Sequence, residues 1–263
     1  MKKAFVVLGM HRSGTSSVAG VLALLGATPP KTLMGPADDN PKGFWESYAI
    51  SELNDRILES FGSNWCDHRS VPTGQAERFI EEGVDVLRAE FGDAPTLVLK
   101  DPRICRLYPY WDEVLRQADY AATILLPVRH PAEVQASLTH RNGLLAEDAV
   151  RLWLRHVLDA EKFSRGLDRV WISWPEFLTN WRRQLALLEG GMSLQLRDPW
   201  IGEQIDAFLS PDLQHHRRHI ENERFSLEVQ VFATLTALSR EGETGPLLVE
   251  MDRHRRQFEA LGV

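Results

Sequence analysis

The segment Val6–Gly26, VVLGMHRSGTSSVAGVLALLG, limits what this chain can fold into more than any other. The apolar run Ala4–Leu8 enters a turn punctuated by glycines, and the turn leads straight into the apolar-rich stretch Thr15–Leu25. A buried strand feeding a helix in this way commits the chain to βα units around a parallel sheet. Laid against the phosphate-loop pattern G-x-x-x-x-G-K-[ST], the turn matches at Gly9, Gly14 and Ser16 but holds Thr15 in the lysine slot. Arg12 sits inside the loop instead. Backbone N–H groups converging at a helix start, together with the helix dipole, make an anion site. Arg12, Ser13, Gly14, Thr15, Ser16 and Ser17 are the residues that would form it.

The rest of the chain repeats the alternation. Strands are expected at Ala4–Leu8, Thr96–Leu99, Ala121–Val128 and Arg169–Ile172. Helices are expected at Thr15–Leu25, Ser47–Phe61, Gln75–Phe91, Leu107–Gln117, Ala132–Arg141, Glu147–Arg165 and Pro175–Leu188. Beyond Gly190 the strand signal fades, and Pro199–Leu209, Glu221–Arg240 and Pro246–Leu261 read as helices. The expected fold is α/β, a P-loop-type three-layer fold with a central parallel sheet of four or five strands, helices on both faces and a helical C-terminal cap. With 263 residues, no repeat and no linker composition, the chain reads as one domain over 1–263. Residues 1–190 form the nucleotide-binding core and 191–263 the cap. Between Gly26 and Glu46 runs a stretch rich in Pro, Gly, Asp and Asn, of the kind that forms binding segments or lids.

Composition narrows the anion. The net charge of −7 argues against a nucleic-acid surface, which needs an excess of Lys and Arg. Locally the balance reverses: Met1–Ala37 carries Lys2, Lys3, Arg12 and Lys31 and no Asp or Glu. Without the lysine, and with Asp101 expected to pair with Lys100 rather than hold magnesium, triphosphate chemistry is weakened. A sulfuryl group, which carries less charge than a terminal phosphoryl group, suits an arginine and backbone donors with no metal. Cys66 and Cys105 are the only cysteines and have no C-x-x-C spacing, which fits a reducing cytoplasm. No stretch reaches the roughly 18 to 20 apolar residues of a membrane span.

A second strand–turn–helix, ATILLPVRHPAEVQASLTHR, ends its apolar run at Val128 and continues through Arg129, His130 and Pro131. Pro131 suits a first helical position. Arg129 at the strand end and Ser137, eight residues on, are both expected to point at one second anion. With these two segments, GMHRSGTSS and VRHPAEVQAS, the chain resembles the sulfotransferases that use 3′-phosphoadenosine 5′-phosphosulfate. The loop form with Arg12 looks more like the carbohydrate, tyrosyl-protein and bacterial branches than the aryl branch. LVLKDPRICRLYPYW and NPKGFWE look like segments of bacterial members, and the likeness spans roughly residues 4 to 180. The resemblance implies that the first loop holds the 5′-phosphosulfate and that Arg129 and Ser137 hold the 3′-phosphate. It also implies an acceptor hydroxyl, of a carbohydrate or another small molecule.

Lys100, at a strand's C-terminal end, is expected either to face the sulfuryl oxygens or to belong to an ion-paired turn with Asp101 and Arg103. Transfer to a hydroxyl needs a base. Glu46 is the first candidate, because Phe44 and Trp45 beside it can strip water from its carboxylate and raise its pKa. The competing reading makes Glu46 a first-turn residue of the helix that begins near Ser47. His11 in the loop is the second candidate, and Asp38 and Asp39 lie in a wetter, turn-rich stretch. His215, His216 and His219 read as an exposed basic patch, so no metal site is expected. Two other functions stay open: a P-loop nucleotide or small-molecule kinase, and a nucleotide-binding module without catalysis. Oligomeric state is open too, a homodimer among the options.

Overall fold

The computed structural model describes residues 1–38, 40–186, 199–209 and 226–262. Strands β1 (Lys2–Val7), β2 (Thr96–Lys100), β3 (Tyr120–Val128) and β4 (Arg169–Ser173) form one sheet in the order β2-β1-β3-β4, with every neighbouring pair parallel. Side chains of a strand alternate between the two faces. Ala4 and Val6 of β1 point to one face, Phe5 and Val7 to the other, and all four are fully buried. Both faces therefore need cover, and three layers result.

On the face of Phe5, Val7, Val98, Leu125 and Ile172 lie α1 (Thr15–Leu24), α7 (Trp174–Ala186) and α8 (Pro199–Phe208). The other face carries α2 (Tyr48–Ser60), α3 (Ile80–Phe91), α4 (Ile104–Gln117), α5 (Pro131–Asn142) and α6 (Ala146–Phe163). It also carries α9 (Leu227–Glu241) and α10 (Gly245–Glu259). The C-terminal helices thus cover the sheet from both sides: α8 packs on α1, and α9 packs on β3, β4 and α10.

Local chemistry accounts for the departures from the expected element ends. Helix α4 begins three residues before Leu107, because the Asp101 carboxylate accepts from Arg103 N at 2.9 Å and starts the turn. Thr73–Phe79 is a 3₁₀ turn leading into α3. Helix α7 breaks at Asn180 (φ −152°, ψ 60°), whose side-chain oxygen accepts from Arg183 N at 3.3 Å and restarts it. Asp39, His215, His216 and His219 lie outside the described residues, as do the expected end of α7 and the expected start of α9.

Candidate active site

Sheet register decides which residues meet. Val7 is level with Lys100 on β2 and with Leu125 on β3, and Val128 is level with Ser173 on β4. The loop after β1 therefore starts beside Lys100, while Arg129 and Trp174 follow the neighbouring strand ends. From β1 the chain goes on to β2 at one side, and from β3 to β4 at the other. The crevice between them is a topological switch point, the usual ligand position in open α/β sheets.

The loop takes the left-handed conformation twice, at Arg12 (φ 70°) and Gly14 (φ 88°). At Gly14 the backbone strains any side chain and the Trp174 ring, into which a Cβ would run, excludes it. Arg12 bears about 1–2 kcal/mol of strain there, and its surroundings hold it in place. Its carbonyl accepts from Arg129 Nη1 at 2.9 Å, and its Nε donates to Ser137 Oγ at 2.7 Å. Arg12, Arg129 and Ser137 are thus brought together by direct hydrogen bonds. Helix α1 starts on Gly14 with no side-chain cap and no acid in its first turn. Ser17 N and Val18 N bond to Gly14 O at 3.1 and 3.2 Å. The N–H groups before them have no carbonyl within the helix, and they belong to residues lining the cleft: Gly14, Thr15 and Ser16.

Lys100 closes the floor of the cleft. Leu97 and Leu99 face one layer and Val98 the other, so Lys100 lies on the α1 side. Its ammonium donates to Phe44 O at 3.1 Å and Ser16 Oγ at 3.4 Å and forms an ion pair with Glu46 Oε1. Each partner is only 4% exposed. The expected pairing of Lys100 with Asp101 is therefore corrected: Asp101, fully buried, pairs with Arg103 at 2.9 Å. Arg103 also bonds Asp55 at 2.6 Å.

Glu46 stands outside α2. Ser47 is the cap, its Oγ accepting from Ile50 N at 3.1 Å, and no acid occupies the first turn. Burial raises the Glu46 pKa above the ordinary carboxylate value, with Lys100 pulling in the opposite direction. Trp45 does not line the cleft. Its backbone is left-handed (φ 59°) and its ring turns away to meet Phe208 of α8 edge-on at 6.0 Å. Phe44 alone of the two aromatic neighbours lines the cleft.

His11 stands edge-on to Trp65, with ring centroids 5.4 Å apart. Burial first, then the Lys100 and Arg103 cations, hold its pKa well below the usual histidine value, so the imidazole is neutral. His11, Glu46, Phe44 and Arg141 line both the cleft and an adjoining solvent-open pocket that reaches Trp65 and Met34. Four contributors escaped the sequence reading. Asn40 donates to Gly43 O at 2.7 Å and to Ser16 Oγ at 3.4 Å, fastening the irregular segment to α1. The Phe44 carbonyl holds Lys100 and Ser16. Arg141 lies over the Phe44 ring at 5.2 Å, and Trp174 packs on Gly14 with Arg129 over its ring at 5.6 Å. The Asn-Pro turn signal at Asn40 is the only one of these visible in sequence.

Neither a protein-family model nor a curated protein sequence matches the chain. Among solved structures it is similar to the sulfotransferase domain from the Synechococcus PCC 7002 olefin synthase, with a TM-score of 0.51 and 18% identity. The match covers 90% of this chain and 94% of that one. The chain has a sulfotransferase-like fold. Among the described residues no three His, Cys, Asp or Glu side chains are placed to hold a metal ion, and no helix is long and apolar enough to cross a membrane.

Proposed function

We propose that the protein transfers a sulfuryl group from 3′-phosphoadenosine 5′-phosphosulfate to an acceptor hydroxyl. The observation that carries this reading is the buried Lys100–Glu46 pair, which joins a cation and a desolvated carboxylate in the cleft of an uncapped helix N-terminus. The shared fold supports it. So does the polar chemistry left open: Ser13 Oγ and Trp174 Nε1, both buried, have no hydrogen-bond partner among the described residues. A bound anion would supply partners for such groups, so the residues present fit the donor.

On this reading the Ser13–Ser17 loop, through the N–H groups of Gly14, Thr15 and Ser16 and its hydroxyls, holds the 5′-phosphosulfate with the Arg12 guanidinium, and Arg129 and Ser137 hold the 3′-phosphate through charge-assisted bonds. Bound there, the donor supplies an activated sulfuryl group. Lys100 and Arg12 stabilise the negative charge that builds on the leaving oxygen, a role exerted mainly in the transition state. Glu46 is the base. Its Oε1 is held by Lys100, which leaves Oε2 to take the acceptor's proton. His11, neutral and next to Glu46 in both cavities, is the alternative base. The adjoining cavity at Trp65 takes the acceptor, a carbohydrate or other small molecule by resemblance to the carbohydrate branch. The kinase reading loses its magnesium carboxylate, because Asp101 is tied up by Arg103.

Incubation with the donor and a panel of glycans, glycolipids and phenols, read by mass spectrometry for the gain of one SO₃, tests the reaction. Glu46→Gln keeps the shape and removes the base, so turnover should fall about 10²- to 10⁴-fold while nucleotide affinity stays near wild type. Tight nucleotide binding with no transfer to any hydroxyl would make the protein a binding module. Near-normal turnover in folded Glu46→Gln would move the base to His11.

A further inference from the structure

Phe44 and Glu46 are both drawn towards Lys100, the first by its carbonyl and the second by its carboxylate. Glu46 O is fixed as well, accepting from Met34 N at 2.7 Å. The residue between them has to leave in the opposite direction, and Trp45 does so with a left-handed backbone that bulky side chains rarely adopt. Such a conformation persists only where its surroundings over-determine it.

The surroundings come from α8. The Trp45 ring meets Phe208 edge-on, and its Nε1 donates to Lys42 O at 3.0 Å. Lys42 in turn reaches α8, its ammonium bonding Ala207 O at 3.4 Å and lying over the Phe208 ring at 5.8 Å. Both rings rest on α1 at Gly20, where a Cβ would run into Phe208 and come within 2.9 Å of Trp45. A helix far along the chain therefore grips the loop from outside the cleft, one residue before the proposed base.

We propose that Phe208 is a positioning residue for Glu46, acting through the indole of Trp45. The inference rests on the reading of Glu46 as the base, but its test does not require turnover. In protein labelled with carbon-13 at the glutamate carboxyls, the Glu46 signal is the one lost in Glu46→Gln. In the intact protein it should titrate above the ordinary glutamate value of about 4.3. With Phe208→Ala the loop relaxes, water reaches the carboxylate, and the midpoint moves down towards that value while affinity for 3′-phosphoadenosine 5′-phosphate is kept. Phe208→Leu, which still fills the gap, should lie between the two.

Gly20→Ala displaces the same rings from the α1 side while improving local helix propensity. It should shift the Glu46 titration without removing any side chain, and it serves as the test if Phe208→Ala fails to fold. A Glu46 midpoint unmoved in the folded Phe208 and Gly20 variants overturns the inference. Undiminished turnover in Glu46→Gln overturns the role of the base instead, and the titration still reports whether α8 sets the carboxylate's place.

Discussion

The turn after β1 and the turn after β3 share a plan, and their helices begin differently. Helix α1 starts on Gly14 with no side-chain cap and no acid in its first turn. Helix α5 starts on His130, whose Nδ1 accepts from Ala132 N at 3.2 Å, with Pro131 next and Glu133 in the first turn. Glu133 takes Arg129 Nε at 2.9 Å. The N-terminus of α5 is filled by its own residues, and that of α1 is left for something else. The difference separates two ways of using one motif. Around α1, N–H groups, Arg12 and Lys100 converge on the cleft, whereas the turn after β3 and α5 contribute side chains that reach back to the loop: Arg129 to Arg12 O and Ser137 to Arg12 Nε. On the proposed function, chemistry belongs to the α1 side and nucleotide retention to the α5 side.

The largest effect that can break this division is on the α1 side. Lys100→Ala should lower kcat about 10²-fold or more, the scale of losing one preorganised donor, with a smaller change in nucleotide affinity. The pH profile gives the sign independently. As the proposed base Glu46 would have to be deprotonated, so kcat/KM should rise with pH through an apparent pKa above the ordinary carboxylate range. Lys100 acts to lower that pKa, so its removal should move the rising limb to still higher pH. A collapse of affinity with kcat preserved would make Lys100 a binding residue.

A smaller, purely binding effect is expected across the crevice. On the proposed function Arg129→Ala removes a charge-assisted contact worth about 1.5–3 kcal/mol, or roughly 10- to 100-fold in affinity. The loss should appear for the nucleotide with a 3′-phosphate and be much weaker for its analogue without one, as calorimetry with both can show. Equal losses would mean that Arg129 serves the loop, through its bond to Arg12 O, rather than the ligand.

Most of the fold was legible because strand and helix periodicity follow from burial on both faces of a sheet. The apolar runs at Ala4–Leu8 and Ala121–Val128 fall on β1 and β3 to within two residues. The two turns were equally legible as turns. What sequence could not show was whether a helix start is already occupied, since the Glu133–Arg129 pair and the His130 cap depend on side-chain rotamers. Long-range partners were hidden for the same reason. Lys100 next to Asp101 suggests a local pair, but the strand's alternation sends Lys100 to the α1 face and Asp101 to Arg103. Trp45 next to Glu46 suggests a shared environment, yet its left-handed backbone turns the two side chains apart.

The smallest predicted effect tests the filled helix start directly. Glu133 interacts favourably with the α5 N-terminus and ties down Arg129, and both side chains are largely buried, 17% and 9% exposed. Glu133→Gln keeps the shape and removes the charge. The helix should lose about 0.3–1 kcal/mol of dipole stabilisation, seen as a small drop in the urea midpoint. Arg129, released from its carboxylate, can then place its full charge on a 3′-phosphate, so affinity for the 3′-phosphorylated nucleotide should rise a few-fold, within roughly tenfold for about 1.4 kcal/mol. Affinity for the analogue lacking that phosphate should stay put. Opposite signs for stability and binding in one conservative variant would identify α5 as a helix whose own acid holds the place of the ligand's anion. A parallel fall in both would instead make Glu133 a part that orients Arg129, and the contrast with α1 would reduce to the presence or absence of a cap.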